Sequence, residues 1–206
     1  MEDSWLAYAK RLQALATTGL HYDPRPYDRE RFEEIDTIAR EMISQLGRIP
    51  LQHLAGLPAS HEGYATPKID IRAAVFRDGR ILLVREISDG KWTMPGGFAD
   101  IGLTASEVAV KETMEEANLK VLARKLFCLR HRAKQAGAPD FRDFYKFFFL
   151  CEPIEQEDPA PGPETSGAAF FAPDDLPEMS IGRSNPEDVA RALRHVREPD
   201  RPTDFD

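Results

Sequence analysis

The sequence predicts an α/β protein in which a mixed β-sheet lies between helices, preceded by a small N-terminal helical domain. Three observations carry this prediction. Apolar residues recur at helical spacing through the first part of the chain. From Pro67 the period changes to the alternation of a strand. A capped helix beginning at Thr104 then separates two groups of strand-like runs, and a last helix follows them. The boundary falls at residues 64–65, giving a helical domain over 1–64 and an α/β domain over 65–206.

Residues 4–20 read as the first helix. Ser4 can cap it, Trp5, Leu6, Ala9, Leu12, Leu15 and Ala16 recur at helical spacing, and Gly19 is the expected stop. His21 to Pro26 contains two prolines and reads as a turn. Asp28 opens a second helix with the stripe Phe32, Ile35, Ile38 or Ala39, Met42 and Leu46, ending at Gly47. Leu51 to Leu57 predicts a further short turn of helix. Two amphipathic helices in succession form an antiparallel hairpin, too small to be stable without packing on something else.

In the second domain, Ile69, Ile71, Ala73 and Val75 alternate with Asp70 and Arg72, the pattern of a strand. Asp78-Gly79 signals a hairpin, with Ile81 to Val84 as the returning strand. Arg85, Glu86, Asp89 and Gly90 then read as a loop leading to Trp92-Thr93-Met94. Beyond the capped helix, Val121 to Arg132 and Phe144 to Leu150 read as strands, joined by a Gly/Pro loop over 133–140. Three consecutive phenylalanines, Phe147 to Phe149, predict a sheet covered on both faces. Pro159 to Gly167 is a loop and Gly167 to Phe171 a short strand. Pro186 to Val196 is a helix capped by Asn185, with proline in its first turn. The last residues, rich in Pro and Asp, predict a frayed end.

Composition narrows the function. Over 206 residues the formal charge is -8, and the pI is near 5.2. That balance argues against bulk nucleic-acid binding, which needs a basic surface. No apolar run is long enough to span a bilayer, and the first residues lack a signal-peptide pattern. Cys128 and Cys151 both sit in apolar runs and predict buried free thiols in a reducing compartment, hence a cytoplasmic location.

The chemistry concentrates between Gly96 and Leu119. Gly96-Gly97 after Pro95 gives a loop able to approach a ligand closely. Thr104 with Glu107 three residues on makes a capping box. Glu112, Glu115 and Glu116, spaced by three and four, project from neighbouring positions of the helix that follows. Like charges so placed repel, and a divalent cation with a taste for hard oxygen ligands, Mg²⁺ or Mn²⁺, removes the conflict.

This stretch resembles the Nudix box, G-x5-E-x7-R-E-U-x-E-E-x-G-U, with U a bulky apolar residue. Gly97, Glu112, Glu115, Glu116 and Leu119 match it. Leu103 stands at its first Glu, Lys111 at its Arg, Thr113 at its first U and Asn118 at its last Gly. Lys111 keeps the charge without the guanidinium fork, Asn118 tolerates the left-handed conformation of a helix end, and Asp100 is a candidate to replace the missing Glu. The resemblance implies a Nudix α/β/α sandwich. The helical hairpin and the run Gly96 to Leu103 are similar to the Nudix subgroup of nucleoside-diphosphate-linked pyrophosphatases, which includes ADP-ribose and CDP-choline hydrolases.

The resemblance implies metal-dependent hydrolysis of a nucleoside diphosphate linked to another group X, giving a nucleoside monophosphate and phospho-X. Glu112 and Glu116 are then the principal ligands of Mg²⁺ or Mn²⁺. Glu115 is a third ligand or orients water, and the Gly96 carbonyl completes the shell. The general base is Glu164, in the loop before the 167–171 strand, or Glu115. Arg72, Arg85, Arg130, His131 and Arg132 are candidates for phosphate contacts; Arg130 and Arg132 point to one side of their strand and His131 to the other. The expected partner is a nucleotide-derived small molecule. A homodimer is expected in which the N-terminal helices contribute to the interface and border the substrate cleft. The alternative is a catalytically weak Nudix-fold module that senses a nucleotide and signals through those helices.

Overall fold

The computed structural model describes residues 4–47, 66–100, 102–134, 142–154 and 156–206. The expected turn of helix over 51–57 lies outside them, as does most of the 133–140 loop. The chain divides into two compact units, Met1–Lys68 with Ala133–Phe144, and Ile69–Arg132 with Tyr145–Asp206.

In the first unit, helix α1 spans Ser4–His21 and α2 spans Pro26–Gly47. Leu6 and Ala9 of α1 bury against Ile43 of α2. Gly19, expected as a stop, lies within α1. A Cβ built there would meet the Phe32 ring at 2.6 Å, so the missing side chain is what seats that ring. The apolar stripe expected on α1 divides in two. Leu6, Ala9 and Ala16 are buried, while Trp5, Leu12 and Leu15 remain exposed at 62, 39 and 65 %, joined by Tyr8, outside that stripe, at 51 %.

The second unit is built on a sheet of order β3-β2-β1-β5-β4-β7, with β6 also paired to β2. Its strands are β1 (Lys68–Arg77), β2 (Arg80–Glu86), β3 (Trp92–Thr93), β4 (Val121–His131), β5 (Phe144–Pro153), β6 (Thr165–Phe171) and β7 (Asp204–Phe205). Asp78 and Gly79, both at positive φ (49° and 75°), make the tight β1–β2 turn. The β4–β7 pair is parallel and the pairs of β2 with β1, β3 and β6 are antiparallel, so the sheet is mixed.

Helix α3 (Ala105–Ala117) packs on one face, its Val108, Ala109 and Ala117 against Ile71, Ala73, Val75, Leu82 and Val84. Helix α4 (Pro186–Arg197), capped by Asn185, packs on the other, with Val189 and Ala192 against Ala74, Leu83, Phe127 and Phe148. Phe148 belongs to the α4 face, and Phe147 and Phe149 to the α3 face. Both thiols are free and buried, and burial pushes each up to about 12.

Two expectations for the second unit change. Arg85 and Glu86 extend β2, because β6 continues the ladder from Ile81–Phe171 as far as Glu86–Thr165. The last residues are held rather than frayed. Thr203 donates to the Leu126 carbonyl at 2.7 Å, and Asp204 lies 3.3 Å from Arg191 and 3.4 Å from His195. A two-residue strand has no periodicity to read, so these tertiary contacts left no sequence signal.

Candidate active site

Helix α3 has both ends fixed. The Thr104 side chain accepts from the Glu107 N–H at 3.3 Å, and Glu107 accepts from the Thr104 N–H at 2.7 Å. Asn118 closes it in the left-handed conformation and donates to the carbonyls of Ala160 and Pro161. Thr113 is satisfied at its apolar position by donating to the Ala109 carbonyl at 2.7 Å. The loop ahead of β6 sits on the end of the helix, where the Gly162 N–H and the Thr165 hydroxyl both donate to the Glu116 carbonyl.

The Gly96 loop is fastened along β1. The carbonyls of Pro95 and Gly97 accept from Ala73 and Ile71, and the intervening Gly96 N–H donates to Glu116 Oε2 at 2.9 Å. At φ 145°, and with a built Cβ only 1.9 Å from the Ile71 carbonyl oxygen, position 96 admits glycine alone. Glu112 meets the neighbouring residue, since a Cβ on Gly97 would stand 3.1 Å from Glu112 Oε1. Two carboxylates one helical turn apart therefore converge on Gly96-Gly97.

Glu115 is placed differently. It is exposed and lies 2.9 Å from Lys111 Nζ, which also stands 3.1 Å from Asp100 and 4.0 Å from Glu112. These partners raise the Lys111 pKa, the Glu115 hydrogen bond most. Asp100 thus supplies the carboxylate that Leu103, itself exposed, does not. Among the described residues no three acidic, histidine or cysteine side chains are gathered closely enough to hold one ion by themselves.

Burial pushes Glu116 up to about 7. The Gly96 N–H and Arg72 oppose the shift, while Glu86 and Glu112 add to it. Burial also raises Glu112. Because Glu116 titrates higher in the fold than its ordinary value of 4.5, its contribution to stability is complete below that value and is lost as pH rises through about 7. Metal-free protein should accordingly lose on the order of 3 kcal/mol from this group between the two values. Mg²⁺ should therefore raise the melting temperature more at pH 8 than at pH 5.5. Calorimetry at the two pH values checks this, with Glu116→Gln removing the difference; an equal metal effect at both would refute it.

Arg72 joins the carboxylates. It is 5 % exposed, its Nε donates to Asp70 Oδ1 at 2.9 Å and one terminal nitrogen reaches the Met94 carbonyl at 3.3 Å. Its charge favours the ionised forms of both Glu112 and Glu116. The other terminal nitrogen makes no hydrogen bond among the described residues.

The remaining candidates are spread out. Arg85 is exposed and its Nε donates to the Gly90 carbonyl at 2.8 Å, bracing its own turn. Arg130 pairs with Asp188 at 3.2 Å on the α4 face, and Arg132 is buried in a 3-10 turn after β4. His131 lies against the Tyr145 ring, centroids 5.2 Å apart. Glu164 is an exposed turn residue one position before Thr165.

Four residues that the sequence did not single out belong to this region. Asp70 holds Arg72 and lies 3.4 Å from the buried Lys146. Ser184 accepts from the Met94 N–H at 2.9 Å. Glu86, 3.1 Å from Arg183, faces Glu116 closely enough to raise its pKa. A lysine among the aromatic residues of β5 was the available signal for Lys146.

A capped helix presenting two carboxylates to a glycine loop, on a mixed sheet between helices, defines a Nudix fold. Residues 66–193 match the family described as "NUDIX domain", and residues 3–57 match one described as "UDP-X-like, N-terminal oligomerisation domain". The chain belongs to the Nudix family and is a Nudix hydrolase. It is 37 % identical, over all of its length and 99 % of the other, to YjhB of Bacillus subtilis (strain 168), which carries a provisional ADP-ribose pyrophosphatase name. A solved UDP-X diphosphatase superposes with a TM-score of 0.62 at 29 % identity, covering 98 % of each chain. An ADP-ribose pyrophosphatase from Streptococcus suis gives 0.63 at 36 % identity, over 68 % of this chain and 100 % of its own.

Proposed function

We propose that the protein hydrolyses the diphosphate linkage of a nucleoside diphosphate joined to another moiety, of the ADP-ribose or CDP-choline type, with Mg²⁺ or Mn²⁺. The observation that carries this reading is the convergence of Glu112 and Glu116 on Gly96-Gly97, with Arg72 beside them. The donor set fits a hard divalent ion: one buried and one half-buried carboxylate whose ionisation burial opposes, with backbone oxygen nearby. Gly96, Glu112 and Glu116 would hold it, joined by Glu115 once that side chain leaves Lys111. When bound, the ion supplies charge neutralisation for the phosphoryl oxygens.

The chain's own residues do the rest. Arg72 offers its free terminal N–H groups to a non-bridging phosphate oxygen, already oriented by Asp70 and Met94. Water adds to one phosphorus and the bridging P–O bond breaks, leaving a nucleoside monophosphate and phospho-X. Glu164 or Glu115 accepts the proton of the water. Arg85, Arg130 and Arg132 remain candidates for the outer part of the substrate. An activity panel of ADP-ribose, CDP-choline and UDP-sugars with Mg²⁺ or Mn²⁺ tests the reading; turnover of none of them would overturn it.

In this reading the boundary near residues 64–65 separates catalysis from assembly, and the N-terminal hairpin pairs with a second copy of the chain. Trp5, Tyr8, Leu12 and Leu15 recur on one side of α1 and stay exposed, and the match to an oligomerisation domain supports the same use. Burying several such side chains is worth several kcal/mol at about 25 cal/mol per Å². Light scattering should give a dimer for the full chain and a smaller species for Leu12→Glu with Leu15→Glu. A monomeric full chain, or a variant that stays dimeric, would assign the stripe another role. The buried free thiols agree with a reducing, cytoplasmic setting.

A further inference from the structure

Lys146 lies in β5, 1 % exposed, between Tyr145 and Phe147. Burial pulls its ammonium down to about 8. A lysine so placed is costly unless its charge is used. Its Nζ is 3.4 Å from Asp70 Oδ2 and donates to the carbonyls of Gly182, at 2.9 Å, and Arg183. The other oxygen of Asp70 receives Arg72 Nε, so one carboxylate is shared by two cations. The carbonyls belong to the loop whose Ser184 accepts from the Met94 N–H and lies 2.9 Å from the Thr93 hydroxyl. Met94 in turn gives Arg72 its carbonyl and leads through Pro95 to Gly96. Both routes from Lys146 end on Arg72, one through Asp70 and one through Ser184 and Met94.

We propose that Lys146 is a positioning residue for the substrate diphosphate, holding Arg72 in its phosphate-binding orientation through Asp70 and locking the 182–184 loop beneath Met94. The inference rests on the reading of Arg72 as a phosphate ligand. Lys146 does not touch substrate; it removes the freedom of Asp70 to follow another partner and of Arg72 to swing away. A guanidinium whose Nε and one terminal nitrogen are already committed presents its last nitrogen at little entropic cost.

The test is a double-mutant cycle on the full chain with α,β-methylene-ADP, a diphosphate whose bridging carbon blocks hydrolysis, titrated calorimetrically in Mg²⁺. Lys146→Met keeps the volume and removes the charge, and Arg72→Met removes the proposed ligand. Each should weaken binding about tenfold, and the double variant should bind no more weakly than Arg72→Met alone. A merely structural lysine would instead give additive losses. Lys146→Arg, which restores a cation, should recover part of the affinity. Should Lys146→Met fail to fold, Asp70→Asn against Arg72→Met closes the same cycle from the intermediate residue. Unchanged affinity in Lys146→Met, additive losses, or no binding by the wild type would each overturn the proposal. Wild-type protein that binds the analogue with a non-additive cycle, yet hydrolyses nothing in the substrate panel, would overturn the functional reading and leave this one standing.

Discussion

Glu116→Gln should leave the fold and the Gly96 hydrogen bond in place and lower Mg²⁺-dependent turnover by roughly two to three orders of magnitude. The amide oxygen can still accept from the Gly96 N–H, as Oε2 now does at 2.9 Å. What disappears is a negative charge that burial already resists. The folded state loses little, because an uncharged side chain suits that position better than a carboxylate. Steady-state rates across a Mg²⁺ titration, with a melting curve of the same preparation, make the measurement. Near wild-type turnover at saturating metal would remove Glu116 from the ligand set.

The second large effect is on stability. Gly96→Ala should cost about 3 to 5 kcal/mol, seen as a fall in melting temperature with activity lost alongside. Two independent penalties coincide there. An alanine at φ 145° is strained wherever it occurs, and its methyl would stand 1.9 Å from the Ile71 carbonyl oxygen, which belongs to a central strand and cannot retreat. Moving the loop instead would break the hydrogen bonds from Ala73 to Pro95 and from Ile71 to Gly97. Gly97→Ala makes the contrast: its methyl meets only the end of the Glu112 side chain, at 3.1 Å. That variant should be far closer to wild type in stability while still disturbing the carboxylate. Equal melting temperatures for Gly96→Ala and the wild type would show that the loop is not fastened as described.

How legible was this site in the sequence? The helix was readable at both ends because its signals are local. Thr104 and Glu107 cap it within one turn, and Asn118 terminates it. The convergence of Glu112 and Glu116 followed from their spacing of four. The departure of Glu115 did not, because whether that carboxylate joins them depends on Lys111, at 2.9 Å, and the spacing of Lys111 and Glu115 on the same helix reads as an ordinary surface pair.

The alternation of Ile69 to Val75 with Asp70 and Arg72 gave the strand but not the partners of its two charged residues. Asp70 and Arg72 are both buried and neutralise one another at 2.9 Å. Lys146 lies 76 positions from Asp70 in the chain, and only the order β1-β5 brings them together. A partnership of that range has no periodicity and no spacing. It becomes visible when the strands are placed side by side, and so do Glu86, Arg183 and Ser184.

Residues 203–206 do something for the sheet that has no bearing on its chemistry. The Leu126–His131 part of strand β4 would otherwise end the sheet with unpaired amides and carbonyls, a template on which a second chain can add. Asp204 and Phe205 run parallel to Cys128 and Leu129, and the Asp206 carboxylate accepts the His131 N–H. The blocking segment carries two acids, one tied to Arg191, Arg201 and His195 and the other facing Arg130. Charge on a terminal strand is a standard deterrent to edge-to-edge growth. The consequence is for handling and solubility: if these few residues are loosened, the folded enzyme exposes an adhesive border, and aggregation would precede any loss of its core.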